Sequence, residues 1–221
     1  MLDTLRKPLF LVAVVLILIV LLIELGSALV ASMRAGAHGM GIPYLALLDG
    51  LLVFTIILMA CSLLIPERVQ GRIQGIATLI VSLIVIIAGI AKIFTAIGKL
   101  FLMIGLLLAP IFGTIAYLII FAGFPRGEAA ASLSLLMTLK LFFAGFLIFA
   151  HQRFLQNKGL VLIVLSSLIA TVIVGFLHGL VPGFLVSITD AVAAIVVAII
   201  AIIWAIVFLV GSIISTVKAI A

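Results

Sequence analysis

Four ionisable residues fall inside or beside long apolar runs of this chain: Glu24, Asp49, Lys92 and Lys140. A charged side chain at the centre of a bilayer costs about 2.5–3.5 kcal/mol on insertion scales, so each needs a partner or a function. Counting about 1.5 Å per residue from the expected helix ends places Glu24 and Asp49 about 22 Å, and Lys92 about 24 Å, from the N-terminal side. Lys140 falls at about 16 Å, near the midplane, and its long stem reaches toward the same layer. Carboxylates and ammoniums sharing one layer do one of two things. They neutralise one another as a satisfied buried pair. Or they form a proton or cation path, with Glu24 as the titrating or coordinating group and Lys140 as its charge partner.

A second pattern concerns packing. Ser167, Thr171, Gly175 and Gly179 recur every four residues, a small-xxx-small ridge that lets another backbone approach closely. Ala194, Ala198, Ala201 and Ala205 form a stripe with alternating four- and three-residue spacing, which suits a left-handed helix crossing. Such faces serve either packing within the chain or a subunit interface.

Enzyme chemistry finds no footing. The chain contains no HExxH, GxSxG or CxxC. His151 and His178 are expected on opposite sides of the membrane, as are Asp49 and Asp190, so neither a shared metal or haem nor an aspartate dyad is expected. No metal and no cofactor is implied. Cys61, the single cysteine, lies in an apolar run as a small packing residue.

The elements that must position these residues follow from composition. The chain has 221 residues, 68% hydrophobic and 8% charged, against about 25% charged in soluble domains. With a mean hydropathy of +1.69, its solvent is lipid. Apolar runs of about twenty residues exclude a barrel, whose strands alternate every second residue, and leave an all-α polytopic transmembrane bundle. The net charge of +6 is scattered singly through short connections, so the expected partner is the lipid bilayer and not nucleic acid.

Spans are expected at about 9–32, 44–65, 76–98, 99–124, 129–150, 160–180 and 191–213 in one integral membrane domain without a soluble part. Seven spans is the count, with six or eight as alternatives. The 49-residue run Ile76–Phe124 is too long for one crossing, so a turn is expected at Lys92–Lys99, its only charges. Pro8 is expected in the first turn of span one and Asp190 at the N-cap of span seven. Pro110, Pro182 and Gly183 mark hinges. An odd count puts the two ends on opposite sides. Lys and Arg then divide five against six, nearly a tie; Arg6 and Lys7, flanking the first span, favour a cytoplasmic N-terminus in a multi-pass protein.

These observations favour a non-catalytic membrane subunit that forms a homo-oligomer or binds other membrane subunits through its helix faces. An ion or proton channel, or a small transporter using the Glu24/Lys140 pair, is the alternative.

Overall fold

The structure, a computed structural model, describes residues 2–34, 42–62, 67–121, 126–150 and 157–220. Side-chain surroundings are described for 8–24, 44–59, 72–121, 133–150, 157–177, 180–182 and 184–218. His38, Pro66, Pro125 and His151 lie outside the described residues, and Arg34, His178, Gly179 and Gly183 are described in backbone alone.

The described residues are almost all helical, with no strand among them. The α-helices are α1 Leu2–Arg34, α2 Ala46–Ser62, α3 Glu67–Leu108, α4 Phe112–Phe121, α5 Arg126–Ala150, α6 Lys158–Leu180 and α7 Val186–Ile220. Short 3-10 turns, Ile42–Leu45 and Gly183–Leu185, precede α2 and α7. Four helical stretches are long and apolar enough to cross a bilayer: Arg72–Leu108, Leu133–Ala150, Lys158–Leu177 and Val186–Lys218. Shorter apolar stretches, Pro8–Glu24 and Ala46–Met59, lie in α1 and α2. The molecule is thus a helical membrane bundle with outward faces of Leu, Ile, Val and Phe.

The Lys92–Lys99 turn does not exist. The expected spans 76–98 and 99–124 give way to one helix of 42 residues, α3, about 63 Å long. Between the lysines lies Ile-Phe-Thr-Ala-Ile-Gly, in which only Gly98 disfavours a helix, and a lone glycine is tolerated. The break falls later, at Ala109–Ile111, where Pro110 cannot continue the hydrogen-bond ladder. Ile111 there has φ 62°, a conformation that β-branched residues rarely adopt. A Cβ at Gly113 would run into the Leu106 carbonyl, so glycine permits α4 to fold back on α3. Pro110 therefore separates two helices instead of kinking one, and α4, with ten residues, is about half a crossing.

Two further expectations are corrected. Pro8 sits inside α1, since the helix begins at Leu2. Asp190 is no N-cap, because α7 begins at Val186 and Thr189 Oγ1 already bonds back to the Leu185 carbonyl, 3.1 Å away. Pro182 does interrupt the chain: α6 ends at Leu180, and Leu185 N donates to the Pro182 carbonyl at 2.9 Å in the turn leading to α7.

α1, α2, α5 and α6 pack as a bundle, and α3 and α7 pack along each other beside it. In that pair Gly75 faces Ser212 and Thr216, whereas Gly89 faces Ala198 and Ile202. Rising numbers on α3 meet falling numbers on α7, so the two run antiparallel. The seam is built of small residues. Gly75, Ser82, Gly89, Ala96 and Met103 are buried at seven-residue intervals on α3. Ala191, Ala194, Ala198, Ala201, Ala205 and Ser212 are buried on α7. A seven-residue repeat keeps a seam facing its partner when the helices supercoil left-handedly. The alanine stripe of α7 is thus packed within the chain, against α3.

Candidate functional site

The charged site is assembled by one helix after another. α5 presents Lys140 on its buried face, with Leu136, Phe143 and Leu147 on the neighbouring turns. α1 contributes Glu24, α2 Asp49, and α6 Ser167 and Thr171; all five side chains are buried. The Lys140 ammonium lies 2.6 Å from Asp49 Oδ2 and 3.5 Å from Glu24 Oε1. It also donates to Thr171 Oγ1 at 2.6 Å. The ammonium therefore lies among polar atoms from three other helices.

The hydroxyls complete the network. Ser167 Oγ donates to Asp49 Oδ1, and Thr171 Oγ1 donates to the Ser167 carbonyl at 2.9 Å. Glu24 and Asp49 both face the Lys140 ammonium. The two carboxyl groups are thus immediate neighbours. Asp49 is the tightly held one, between an ammonium at salt-bridge distance and a hydroxyl. Glu24 meets Lys140 at longer range.

Positions on α5 and α6 put the cluster well inside those helices, while Asp49 lies in the first turn of α2. Thr171 is 13 residues from the start of α6 and nine from its end, about 20 Å and 14 Å. Lys140 is 14 residues from the start of α5 and ten from its end. Ionisable groups buried in this way each carry a desolvation penalty of several kcal/mol.

The structure therefore unites Glu24, Asp49 and Lys140. It does not bring in Lys92, which stays half-buried on α3 with Lys99 as its charged neighbour. Lys92 shares only the depth of the cluster: its helix α3 packs along α7, beside the helices that carry the other charges. Ser167 and Thr171, expected as part of a packing ridge, instead serve the charges. Their four-residue spacing fits either role, and the buried carboxylate across from them decides it. Gly175 shows nothing within 4 Å of a would-be Cβ, so its side of α6 is open.

A second buried polar contact lies nearer one end. Tyr44 OH donates to Asp190 Oδ1 at 3.4 Å, joining the turn before α2 to α7. Tyr117 OH donates to the Phe184 carbonyl, and Ser187 Oγ to the Phe121 carbonyl at 2.8 Å, tying α4 to the start of α7. An apolar groove on the opposite face of α5, lined by Leu141, Phe142, Gly145 and Phe149, is separate from the charges.

Thr171→Val keeps the shape and removes one acceptor from the ammonium. It is expected to lower stability by about 1.5–3 kcal/mol, the range for hydrogen bonds to charged groups. Thermal unfolding in detergent, followed by fluorescence of the single tryptophan, Trp204, measures this. Ser166→Ala, which removes a hydroxyl that donates to the Leu162 carbonyl at 2.7 Å and accepts from the Trp204 indole at 3.4 Å, with no contact to the charges, is the control.

Comparison with known protein families, with curated proteins and with solved structures finds no match to this chain.

Proposed function

We propose that the chain is a small membrane transport protein that binds and releases a proton or a small monovalent cation at the Glu24–Asp49–Lys140 cluster. The observation that supports this reading is the charge count at the centre of the bundle. Fully ionised, two carboxylates and one ammonium leave one negative charge in excess, which an apolar interior disfavours strongly. One proton or one monovalent cation makes the cluster neutral. Glu24, held at 3.5 Å by Lys140, is the exchanging group. Asp49 and Lys140, 2.6 Å apart, are the fixed pair that positions it. The bundle offers few other polar groups to replace a hydration shell, which favours a proton over a large hydrated solute. The N-terminal end of α1 is placed in the cytoplasm, because Arg6 and Lys7 flank the first crossing.

The competing reading is a non-catalytic subunit that oligomerises or binds other subunits within the bilayer. It drew on two small-residue faces. Ser167 and Thr171 are engaged by the charges, and the α7 alanines by α3. What remains for it is the open side of α6 at Gly175.

Purified protein in liposomes tests the proposal. Wild type is expected to dissipate an imposed proton or monovalent-cation gradient, Glu24→Gln to lose most of that flux, and Ser166→Ala to retain it. Flux no greater than that of empty liposomes for protons, sodium and potassium rejects the transport reading.

A further inference from the structure

The ends of the helices sort the basic residues far more sharply than the sequence does. In the α3–α7 pair, Gly75 lies beside Ser212 and Thr216. Arg72 is three residues before Gly75 and Lys218 two residues after Thr216, so both mark the same end of the pair. Both are exposed there. α6 runs antiparallel to α7: Ser166 meets Trp204, and the end of α6 leads through the Gly183–Leu185 turn into the start of α7. Lys158, at the start of α6 and exposed, therefore shares the end of Arg72 and Lys218.

The remaining helices follow. Gln74 Nε2 of α3 donates to the Leu58 carbonyl of α2 at 3.2 Å, which brings the last turns of α2 and the first turns of α3 to that end. The other end of α2 is marked by the Tyr44–Asp190 contact. α1 meets, through Glu24, the same Lys140 that Asp49 of α2 holds. From Glu24 it runs back 22 residues to Leu2, toward the Arg72 end, and forward ten to Arg34, toward the turn before α2. α4 is tied at Phe121 to Ser187, at the far end, and α5 begins there with Arg126. α5 then descends past Lys140 toward the connection to α6, which carries Arg153.

Arg6, Lys7, Arg68, Arg72, Lys158 and Lys218 thus belong to one end, six of the twelve Lys and Arg. The far end has Arg34 and Arg126, together with Lys92 and Lys99. These two lie 20 and 27 residues beyond Arg72, about 30 Å and 40 Å along α3, so Lys92 is already one hydrocarbon thickness away. Lys140 lies in the middle, and Arg153 lies outside the described residues. Among the described residues, the near tie of five against six becomes six against four because α3 crosses once. That moves Arg126 to the far end and Lys158 and Lys218 to the near one.

We infer that the end bearing Arg72, Lys158 and Lys218 is a basic face that docks on anionic lipid headgroups of the cytoplasmic leaflet, with six crossings and both the start of α1 and the end of α7 on that side. Short connections rich in Lys and Arg are retained in the cytoplasm, and anionic headgroups attract such a face. This goes beyond the transport proposal and does not depend on it.

Single cysteines in a Cys61→Ser background test the sidedness, with the full chain expressed in a bacterial host. Thr4→Cys and Ala219→Cys are expected to react with a membrane-impermeant maleimide in inverted vesicles and not in spheroplasts, and Gly127→Cys the reverse. Labelling of Thr4→Cys and Ala219→Cys from opposite sides, or of both from outside, overturns the inference. The headgroup contact is tested by thermal unfolding in phosphatidylcholine vesicles with and without phosphatidylglycerol. The anionic lipid is expected to raise the wild-type midpoint and to raise that of Arg72→Gln/Lys158→Gln/Lys218→Gln by less than half as much. Equal midpoints for wild type in the two lipids, or an undiminished rise in the variant, overturn it.

Discussion

Lys140→Met is expected to lower stability in detergent by about 3–5 kcal/mol, the range for removing one partner of a buried ion pair, and to abolish flux in liposomes. The size follows from what is left behind. Asp49 loses an ammonium at 2.6 Å, Glu24 loses one at 3.5 Å, and Thr171 loses its donor. Two buried carboxyl groups then remain without their counter-charge, and the bundle must protonate them, hydrate them or open.

A triple variant separates structure from transport. Glu24→Gln/Asp49→Asn/Lys140→Met removes all three charges together and is expected to regain most of the stability that Lys140→Met alone forfeits, because no uncompensated charge stays buried. Flux is expected to stay absent, since no exchanging group remains. Both quantities are measured on the same preparations, by Trp204 fluorescence on heating and by gradient dissipation. A Lys140→Met variant within about 0.5 kcal/mol of wild type, the range of an ordinary surface substitution, would show that the three charges are not energetically joined. A triple variant with wild-type flux would place transport elsewhere in the molecule.

Why three of the four charged residues could be grouped from depth alone is clear from the helices that carry them. α1, α2 and α5 each contain the apolar run from which the depth of Glu24, Asp49 or Lys140 was counted, so an error of a few residues at a helix end moved each estimate by only a few ångströms. Lys92 failed because depth alone does not say which helix a neighbour is, and α3 packs along α7 beside the helices that carry the cluster. A uniformly apolar stretch does not show whether it is one rod or two; only its breakers do. The two lysines marked charge, not a break, and the true breaker was Pro110. The hydroxyls of Ser167 and Thr171 were visible as small residues, but their role depends on a carboxylate 118 residues away from Ser167. No local pattern carries that. The α3 seam was also present in the sequence, as Gly75, Ser82, Gly89 and Ala96 at sevenfold spacing. It becomes legible once α3 is continuous and antiparallel to α7.

That seam makes Gly89→Leu the second large effect. A Cβ at Gly89 would lie 2.7 Å from Ile202 Cγ1 and 2.9 Å from its Cδ1, with the Ala198 carbonyl at 3.6 Å. Ile202 is β-branched and its χ1 is stiff in a helix, so it yields poorly, and the Ala198 backbone cannot yield without moving α7. A leucine adds three further carbons in the same direction. The helices must separate, and every small residue along the seam then loses contacts that depend on close approach. Overpacking of this kind costs about 1–3 kcal/mol and occasionally more; the upper end is expected here because two long helices share the displacement. Gly89→Leu/Ile202→Ala, which vacates the space, is expected to recover much of the loss, a non-additivity typical of residues in contact. Gly175→Leu supplies the contrast. Its Cβ would meet nothing within 4 Å, so the monomer is expected to keep its stability. If Gly175→Leu instead dissociates an oligomer on size-exclusion chromatography, the open side of α6 is a subunit interface and the competing reading gains what the α7 alanines no longer supply. If Gly89→Leu melts like wild type, α3 and α7 do not lie as close as their glycines and alanines require, and the antiparallel register that assigns six cations to one end fails with it.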